Sequence, residues 1–374
     1  MIVTFSETFL YYEELVLLVR PESSSLSLQI ETFIFMFGHS VGITVFTNKR
    51  IIKGHEYSYL EHSFRTGAKV QKVSFYLPKD KQFSISEFIG INKKIIDKIA
   101  KERAQYIEKN TKFSRFFQYG TQIYTLERDK LLFQVFFKKL PKEEQMRIMD
   151  VFLRTFLVNS MEMEGGTISY EIAKALDEKK GIDVSRINAL DVPLYHQLKQ
   201  AHNLLSKMRL RYPKQIKALH GLIYKGIFPF AGQFRKNKVT FGDMDDLAIT
   251  SDPEKIQSGY KKALNDYYSS KNKVFDFERI ILFHKDYQSV HGFADGNSRL
   301  GRLIMVKQLS DAGYPPLLVR GSSSRAYRTS LVAAINRKDN TALLKFFYSA
   351  YKRTYEKFWL PSIEDAFRRN FAKM

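Results

Sequence analysis

Apolar residues follow a strand-like pattern in the first third of the chain and a helical pattern after it. β-Branched and aromatic side chains dominate EYSYLEHSF (56–64) and KVQKVSFYL (69–77), with Gly67 between the two runs. Such runs joined by a short segment with glycine predict a β-hairpin. An amphipathic helix should follow, because apolar residues then recur at near-helical spacing among charged ones. These residues are Ile91, Ile95, Ile99 and Tyr106.

Helical periodicity dominates the chain from about residue 142, which predicts a mainly α fold. The main predicted helices cover 143–164, 275–290 and 299–309, and the first of them ends at a pair of glycines. A small hairpin should interrupt the helices, because two strand-like runs lie among prolines and glycines. Those runs are 233–235 and 239–241.

Composition excludes several kinds of site. The 374 residues include no cysteine, which rules out disulfides, thiolate nucleophiles and Cys-ligated metals. Lys and Arg number 60 against 39 Asp and Glu, and the net charge of +21 favours anionic partners. The start of the chain lacks the features of a secretory signal, and no apolar run reaches the length of a bilayer span. We expect a cytoplasmic protein without a membrane partner.

The strongest chemical signal is the string HGFADGNSRLGR at residues 291–302. Gly296, Asn297 and Ser298 lie where a loop enters a predicted helix, and the free N–H groups at such a place bind phosphate. Arg299 and Arg302 follow in the first turn of that helix, so both can reach an anion held there.

Two titratable side chains accompany this anion site. Asp295 is a natural Mg²⁺ ligand, because that ion is usually held by one or two carboxylates together with substrate phosphates. His291 has the ordinary pKa of a general base near neutral pH. The residues therefore predict a nucleotide site with a base beside it.

This string resembles the Fic motif, His-x-Phe-x-(Asp/Glu)-Gly-Asn-(Gly/Lys)-Arg-x-x-Arg, of the family that transfers AMP from ATP to hydroxyl groups of target proteins. Phe283, His284 and Tyr287 are similar to the helix that precedes the motif in the family, and 229–235 resembles the segment that leads into its β-hairpin flap. The chain departs from the motif at two positions. Gly292 replaces the usual proline, and Ser298 replaces the usual second glycine.

The resemblance covers about residues 150–350 and implies a helical Fic core with a β-hairpin flap, preceded by a smaller α+β region. The predicted divisions are an aromatic-rich segment 1–48, a basic α+β region 49–145, a Fic-like catalytic domain 146–350 and a C-terminal helical tail 351–374. The charge pattern agrees with the first boundary, because residues 1–48 are acidic and residues 49–150 are basic.

The resemblance also implies roles for individual residues. His291 would take the proton of the attacking hydroxyl, and Asp295 would hold Mg²⁺. ATP would contact Gly296, Asn297, Ser298, Arg299 and Arg302, with Tyr327 and Asn336 as candidates beside the adenine. The target would add a strand to the flap at Val239 and Thr240. The implied partners are ATP and a protein with an accessible Ser, Thr or Tyr hydroxyl, the chain itself being one candidate.

A second motif predicts inhibition. Residues 160–165, SMEMEG, match (Ser/Thr)-x-x-x-Glu-(Gly/Asn), which resembles the inhibitory helix of the Fic family. A carboxylate near a helix C-terminus interacts unfavourably with the helix dipole, by about 0.3–1 kcal/mol. Glu164 is therefore better explained if a cation pairs with it. In the family this cation is the second arginine of the motif, here Arg302. Ser160 and Glu164 are therefore the predicted inhibitory residues.

Three alternatives remain open from the sequence. Glu164 could position a water, which would make the chain a de-AMPylase at the same site. A metal-dependent phosphohydrolase using His284, Asp286, His291 and Asp295 is weaker, because a spacing of seven residues is too long for the usual ligand pair on one helix. A nucleic-acid-binding regulator could use the basic region 49–150, although no helix-turn-helix or RNA-binding aromatic motif stands out there.

Overall fold

A three-stranded antiparallel sheet opens the described part of the chain. The computed structural model describes residues 45–66, 69–78, 84–118, 120–181, 185, 187–243 and 246–371, so the predicted segment 1–48 and the Gly67 turn lie almost wholly outside it. The strands are β1 (Val45–Ile52), β2 (His55–Thr66) and β3 (Lys69–Leu77), in the order β1-β2-β3. β2 and β3 pair with Tyr59 opposite Tyr76, which confirms the predicted hairpin.

The helix after this sheet was predicted, but its buried face was not. Helix α1 (Ile85–Asn110) begins at a capping box in which Ser84 and Glu87 bond each other's main chain. Phe88, Ile96 and Ile99 are buried, whereas Ile91 and Ile95 are 67% and 41% exposed. Three of the four apolar residues that predicted this helix, Ile91, Ile95 and Tyr106, are therefore exposed. The buried apolar stripe of α1 lies about one residue further round the helix, where the ring of Phe88 packs against the ring of Phe75 on β3.

Helices form most of the remaining structure. Their bounds are α2 (Thr121–Phe136), α3 (Lys142–Glu162), α4 (Tyr170–Asp177), α5 (Asp191–Lys207), α6 (Pro213–Tyr224), α7 (Ile256–Ser269), α8 (Asp276–Val290), α9 (Asn297–Asp311), α10 (Ser324–Asn336), α11 (Thr341–Thr354) and α12 (Leu360–Phe371). The three helices predicted at 143–164, 275–290 and 299–309 are confirmed as α3, α8 and α9, with small shifts at their ends.

Helix α8 is the centre of the helical core. It packs against α7, α9, α10 and α11, and its side chains from Phe277 to Val290 are largely buried. Helix α9 is also buried along most of its length. Because both flanking helices are fixed in the core, the loop that joins them (residues 291–296, the motif loop) starts and ends at fixed points.

The small hairpin exists, but one of its strands was placed wrongly. The strands are β4 (Thr240–Asp243) and β5 (Asp246–Ile249), paired with Thr240 opposite Ile249. Residues 233–235 form no strand, because the Arg235 guanidinium donates hydrogen bonds to main-chain carbonyls around it and ties this segment to the motif loop. Gly242 has φ +135°, and a Cβ there would lie 2.3 Å from the carbonyl oxygen of Asp246.

The N-terminal region shares its core with the helical region. A short parallel bridge joins Lys112 to Val274, and the Tyr314 hydroxyl donates to buried Glu127 at 2.8 Å. One continuous hydrophobic cluster extends from Leu60 on β2 to Phe367 on α12. The domain boundaries drawn from the sequence stay predictions. Among the helices described, none has both the length and the apolar composition that a membrane span requires.

Candidate active site

His291 lies at the end of α8 in an unusual backbone conformation. Its φ of +46° is left-handed, and it caps the helix through its N–H, which bonds the carbonyl of Tyr287. The imidazole stacks on Phe241 of β4 with ring centroids 4.5 Å apart. Burial lowers the pKa of His291 to about 4, against an opposing effect of the Gln288 carbonyl. The ring is therefore neutral at pH 7, as a proton acceptor must be.

Hydrogen bonds within the motif loop fix its shape. The Asn297 side chain accepts from the N–H of Phe293 at 3.0 Å and donates to the carbonyl of Phe293 at 2.8 Å. Phe293 is fully buried and anchors the loop in the core. The Asn297 amide is thus occupied by the loop itself. The contact between Asn297 and ATP that the resemblance implied stays a prediction.

His220 holds the motif loop from the side of α6. Its Nδ1 accepts from the N–H of Gly232 at 2.9 Å, so the proton of the neutral ring lies on Nε2 and is donated to the carbonyl of Asp295 at 2.9 Å. The ring stacks on Phe293 at 3.8 Å with an interplanar angle of 5°. Burial lowers the pKa of His220 to about 4. These contacts give His220 a structural role in holding the loop.

The N-terminus of α9 forms a concave set of N–H groups. Gly296 is the N-cap with φ +83°, and no side chain caps this end of the helix. A Cβ on Gly296 would lie 2.3 Å from the ring and hydroxyl of Tyr224, so glycine is required both by its conformation and by this close approach. The N–H groups of Asn297, Ser298 and Arg299 precede the first intrahelical bond, which Leu300 makes to Gly296. They are placed to bind an anion.

Arg299 lies beside these N–H groups. Its Nη1 donates to the hydroxyl of Tyr224 at 3.0 Å and lies 3.7 Å from Oδ2 of Asp295. Its Nε is buried with no hydrogen-bond partner. The guanidinium is thus held at the anion site with one donor unused. Burial raises the pKa of Tyr224 to about 12, so this hydroxyl stays neutral beside the arginine.

Arg302 meets the predicted inhibitory residues. Its Nη1 and Nη2 both donate to Oε1 of Glu164 at 3.1 Å, and its Nε donates to the Ser160 hydroxyl at 3.0 Å. A fourth bond joins Nη2 to the main-chain carbonyl of Ser160 at 2.7 Å. Arg302 is 1% exposed, so these acceptors take the place of water around it. Glu164 lies just beyond the last residue of α3, not in its last turn as predicted.

The donors near Asp295 fit one mode of Mg²⁺ binding. The Asp295 side chain is 52% exposed, and its Oδ1 accepts from the N–H of Gly296 at 2.6 Å. Within the described residues no three His, Asp or Glu side chains are grouped as a protein-only metal site would require. A single open carboxylate beside an anion site suits an ion that is shared with substrate phosphates.

The two residues proposed for the adenine have other partners. The Tyr327 hydroxyl lies 2.7 Å from Nε2 of His284, and Tyr327 is 2% exposed. Asn336 binds the hairpin: its Oδ1 accepts from the N–H of Ile249 at 3.1 Å, and its Nδ2 donates to the carbonyl of Leu247 at 2.9 Å. Asn336 therefore fastens β5 to α10.

Sequence reasoning missed Tyr224 and Tyr260. Tyr224 lies under the anion site, and the Tyr260 hydroxyl accepts from the N–H of Gly292 at 2.9 Å. Neither residue belongs to a motif, so only the packing of α6 and α7 against the motif loop reveals them. The one available signal was Gly292, since a glycine N–H in place of a proline requires an acceptor.

Comparisons with known proteins agree with this site. Residues 210–309 match the Fic/DOC family. The chain is 26% identical over 217 residues to a protein adenylyltransferase Fic from Drosophila willistoni, covering 55% of this chain and 42% of that protein. It is 26% identical over 210 residues to its counterpart from Nematostella vectensis, covering 54% and 48%. The chain thus spans less than half the length of these curated relatives.

Solved structures show the same fold. A Fic-domain signalling protein from Bacteroides thetaiotaomicron aligns with a TM-score of 0.55 at 19% identity, covering 68% of this chain and 98% of that one. A Fic family protein from Desulfovibrio desulfuricans aligns with a TM-score of 0.54 at 16% identity, covering 71% and 76%. The motif and the family match agree that residues 210–309 are similar to a Fic domain, and the fold around them is that of solved Fic proteins.

Proposed function

We propose that this chain transfers AMP from ATP to a Ser, Thr or Tyr hydroxyl of a protein, and that Glu164 inhibits the transfer. The observation that carries the proposal is a neutral His291 beside the uncapped N-terminus of α9. That pair supplies a proton acceptor and an anion site a few residues apart. Relatives of the chain carry the name protein adenylyltransferase, which supports the same reaction.

In the proposed reaction, the N–H groups of residues 297–299 and the Arg299 guanidinium bind the phosphates of ATP. His291 accepts the hydroxyl proton while the hydroxyl oxygen bonds to the α-phosphorus. The bond from the α-phosphorus to the bridging oxygen breaks, and pyrophosphate leaves with that electron pair. The bound triphosphate brings negative charge near the imidazole, which raises the His291 pKa from about 4 and strengthens the base.

Mg²⁺ would enter with ATP and offset phosphate charge, and Asp295 is the residue that would hold it. Asn297 takes a supporting role in this proposal, since its amide shapes the loop. The Ser298 side chain is half-buried, so the serine is accommodated at a position where the family usually has glycine.

The target would align along β4. Asn336 bonds the main chain of β5 at Ile249 and Leu247, which leaves the outer edge of β4, with Thr240 and neighbouring Val239, for a strand of the target. Leu247 and Ile249 on β5 are 45% and 77% exposed, and they offer apolar contact to the same partner.

Inhibition would act through Arg302. The arginine lies one turn from Arg299 and would bind the outer phosphates of ATP, but Glu164 and Ser160 now hold all three of its nitrogens. ATP would then bind with its α-phosphate misplaced for attack. Because Arg302 is almost wholly buried, removing the Glu164 carboxylate leaves an arginine with unsatisfied donors that a phosphate can satisfy.

A transfer assay tests both parts. The purified chain, Glu164→Gly and His291→Ala in the Glu164→Gly background are incubated with ATP labelled at the α-phosphate, Mg²⁺ and a cell lysate. We expect label on protein to rise in Glu164→Gly and to vanish with His291→Ala. Glu162→Gln is the matched control, since Glu162 lies on the same helix end and is exposed. Absence of label from every variant would refute the transferase proposal.

A second candidate reaction is removal of AMP from a modified protein. The charge of Glu164 acts on His291 as well as on Arg302, and it raises the pKa of the imidazole against the larger effect of burial. In this second proposal the Glu164 carboxylate, whose charge acts on the base, orients a water. Release of AMP from a pre-labelled target by the unaltered chain, lost in Glu164→Gly, would favour this reaction.

A further inference from the structure

We propose that Tyr260, on α7 and outside the motif, positions the proton acceptor His291 through the main chain of Gly292. The inference rests on the proposed function for the role of His291. It assigns Tyr260 as a positioning residue that does not touch the substrate.

The contact fixes the peptide group that follows His291. The Tyr260 hydroxyl accepts from the N–H of Gly292 at 2.9 Å, and both residues are buried. Arg235 binds the same stretch from the other side: its Nε donates to the carbonyl of His291 at 2.6 Å, and its N–H donates to the carbonyl of Gly292 at 3.0 Å. The main chain just after the base is therefore held from two elements.

This restraint matters because His291 is in a conformation that side chains disfavour. Its φ of +46° puts Cβ close to the following carbonyl oxygen, which is unfavourable for any L-residue with a Cβ. Such a conformation persists where neighbouring contacts over-determine it. If the Gly292 N–H lost its acceptor, the peptide could rotate and the imidazole would leave its place on Phe241.

Tyr260 is itself rigidly placed. Its ring is fully buried and stacks on Tyr287 with centroids 5.2 Å apart and an interplanar angle of 28°. Burial also raises the pKa of Tyr260, so the hydroxyl stays neutral. A fixed, neutral oxygen can specify the direction of the N–H that bonds to it.

The space around Gly292 shows that the two residues match. A Cβ on Gly292 would lie 2.5 Å from Cε2 and 2.8 Å from the hydroxyl oxygen of Tyr260, and 2.8 Å from Cγ2 of Ile256. A proline there would have no N–H to donate and no room for its ring. The departure from the usual motif at residue 292 is thus complemented by a tyrosine on another helix.

The test compares two Tyr→Phe variants in the Glu164→Gly background. Tyr260→Phe keeps the ring and removes the acceptor. Tyr268→Phe is the matched control on the same helix, because its hydroxyl donates to the carbonyl of Leu210, away from the site. The readouts are the maximal rate of self-labelling from α-labelled ATP, the ATP concentration at half that rate, and the thermal midpoint.

We expect Tyr260→Phe to lower the maximal rate about tenfold or more, as loss of one buried hydrogen bond at the base would. The ATP concentration at half the maximal rate should stay within twofold of its value in the parent, the Glu164→Gly chain. Tyr268→Phe should keep the maximal rate of this parent. A Tyr260→Phe rate within twofold of the parent overturns the proposal. Equal losses of rate in Tyr260→Phe and Tyr268→Phe also overturn the proposal, because lower stability alone would then explain both losses.

Amide hydrogen exchange measures the contact without relying on transfer. The Gly292 amide should be strongly protected in the unaltered chain and should lose protection in Tyr260→Phe, with a shift of the His291 imidazole signals. Fast exchange of Gly292 in the unaltered chain overturns the proposal even if a substituted chain fails to fold. If the parent transfers no AMP but the exchange result holds, the proposed function fails and the positioning contact stands.

Discussion

The two ends of the proposed nucleotide site are held in different ways. At the motif loop, neutral side chains bond main-chain groups: Asn297 bonds Phe293, His220 bonds the carbonyl of Asp295, and Tyr260 bonds the N–H of Gly292. One turn along α9, Arg302 is held by a carboxylate and a helix end that belong to α3, more than a hundred residues earlier. The first end is fixed by the core, whereas the second depends on one ion pair between elements. We infer that the loop sets the chemistry and that the Arg302 contact controls it.

The largest expected effect comes from Gly296→Ala at the loop end. An alanine at φ +83° is strained by about 1–2 kcal/mol, and its Cβ would overlap Tyr224. We expect self-labelling in the Glu164→Gly background to fall about a hundredfold or more, because the N–H groups and Arg299 both move with Tyr224. Gly226→Ala is the control, since Gly226 has φ +73° and nothing within 4 Å of its Cβ position. A loss of the same size in both variants would contradict the special role of the loop.

Asn297→Ala should lower the rate of self-labelling less than Gly296→Ala does. It removes two hydrogen bonds to Phe293. The N–H and the carbonyl of Phe293 are then buried without these partners, at about 1–3 kcal/mol for each unsatisfied group. We expect a lower thermal midpoint together with a fall in the maximal rate, and little change in half-saturation by ATP. A raised half-saturation at an unchanged rate would show instead that Asn297 contacts the nucleotide.

Ser160→Ala tests the controlling end of the site. Arg302 loses the hydroxyl acceptor but keeps the Ser160 carbonyl and Glu164, so inhibition should weaken about tenfold, as loss of one hydrogen bond from a charged donor would allow. Combined with Glu164→Gly, Ser160→Ala should raise the rate little further, because the Ser160 carbonyl still binds Nη2 of Arg302. Self-labelling rates of the single and double variants measure this. Release as large as that of Glu164→Gly would show that the hydroxyl and not the carboxylate is the main restraint.

The smallest and broadest effect is the dependence of stability on pH. Burial lowers the pKa of His202, His220, His284 and His291 to about 4, 4, 3 and 4. Since an unfolded histidine titrates near 6.5, the unfolded chain binds more protons than the folded one between pH 6.5 and 4. Stability is therefore full above about pH 6.5 and is lost as the pH falls toward 4.

Thermal midpoints at pH 7, 5.5 and 4.5 in high salt check this direction. High salt screens the repulsion among the excess positive charges. Asp129 acts in the opposite sense, because burial raises its pKa to about 6, and burial also raises the pKa of Glu278 and of Asp311. A midpoint that rises on acidification would contradict the buried, neutral state of these histidines.

The helical region was more predictable than the N-terminal helix or the flap. Helices α8 and α9 follow from periodicity because each buries a broad face in the core. On α1, two apolar stripes compete, and contact with Phe75 decides between them. In the flap, Arg235 looked like part of a strand, but its side chain bonds the motif loop, and the hairpin begins at Thr240 instead.

By itself, the sequence determined where the candidate site lies. The spacing from His291 to Arg302 fixes a loop followed by a helix N-terminus, because these depend on local geometry and on glycine at a left-handed position. Only the tertiary structure decided what supports each group. Tyr224, Tyr260 and Asn336 come from other helices, and their roles depend on distances across the fold that periodicity does not carry. The contact of Glu164 depended on sequence and tertiary structure alike. Its motif predicted Arg302 as the partner, and the packing of α3 against α9 brought the two charges together.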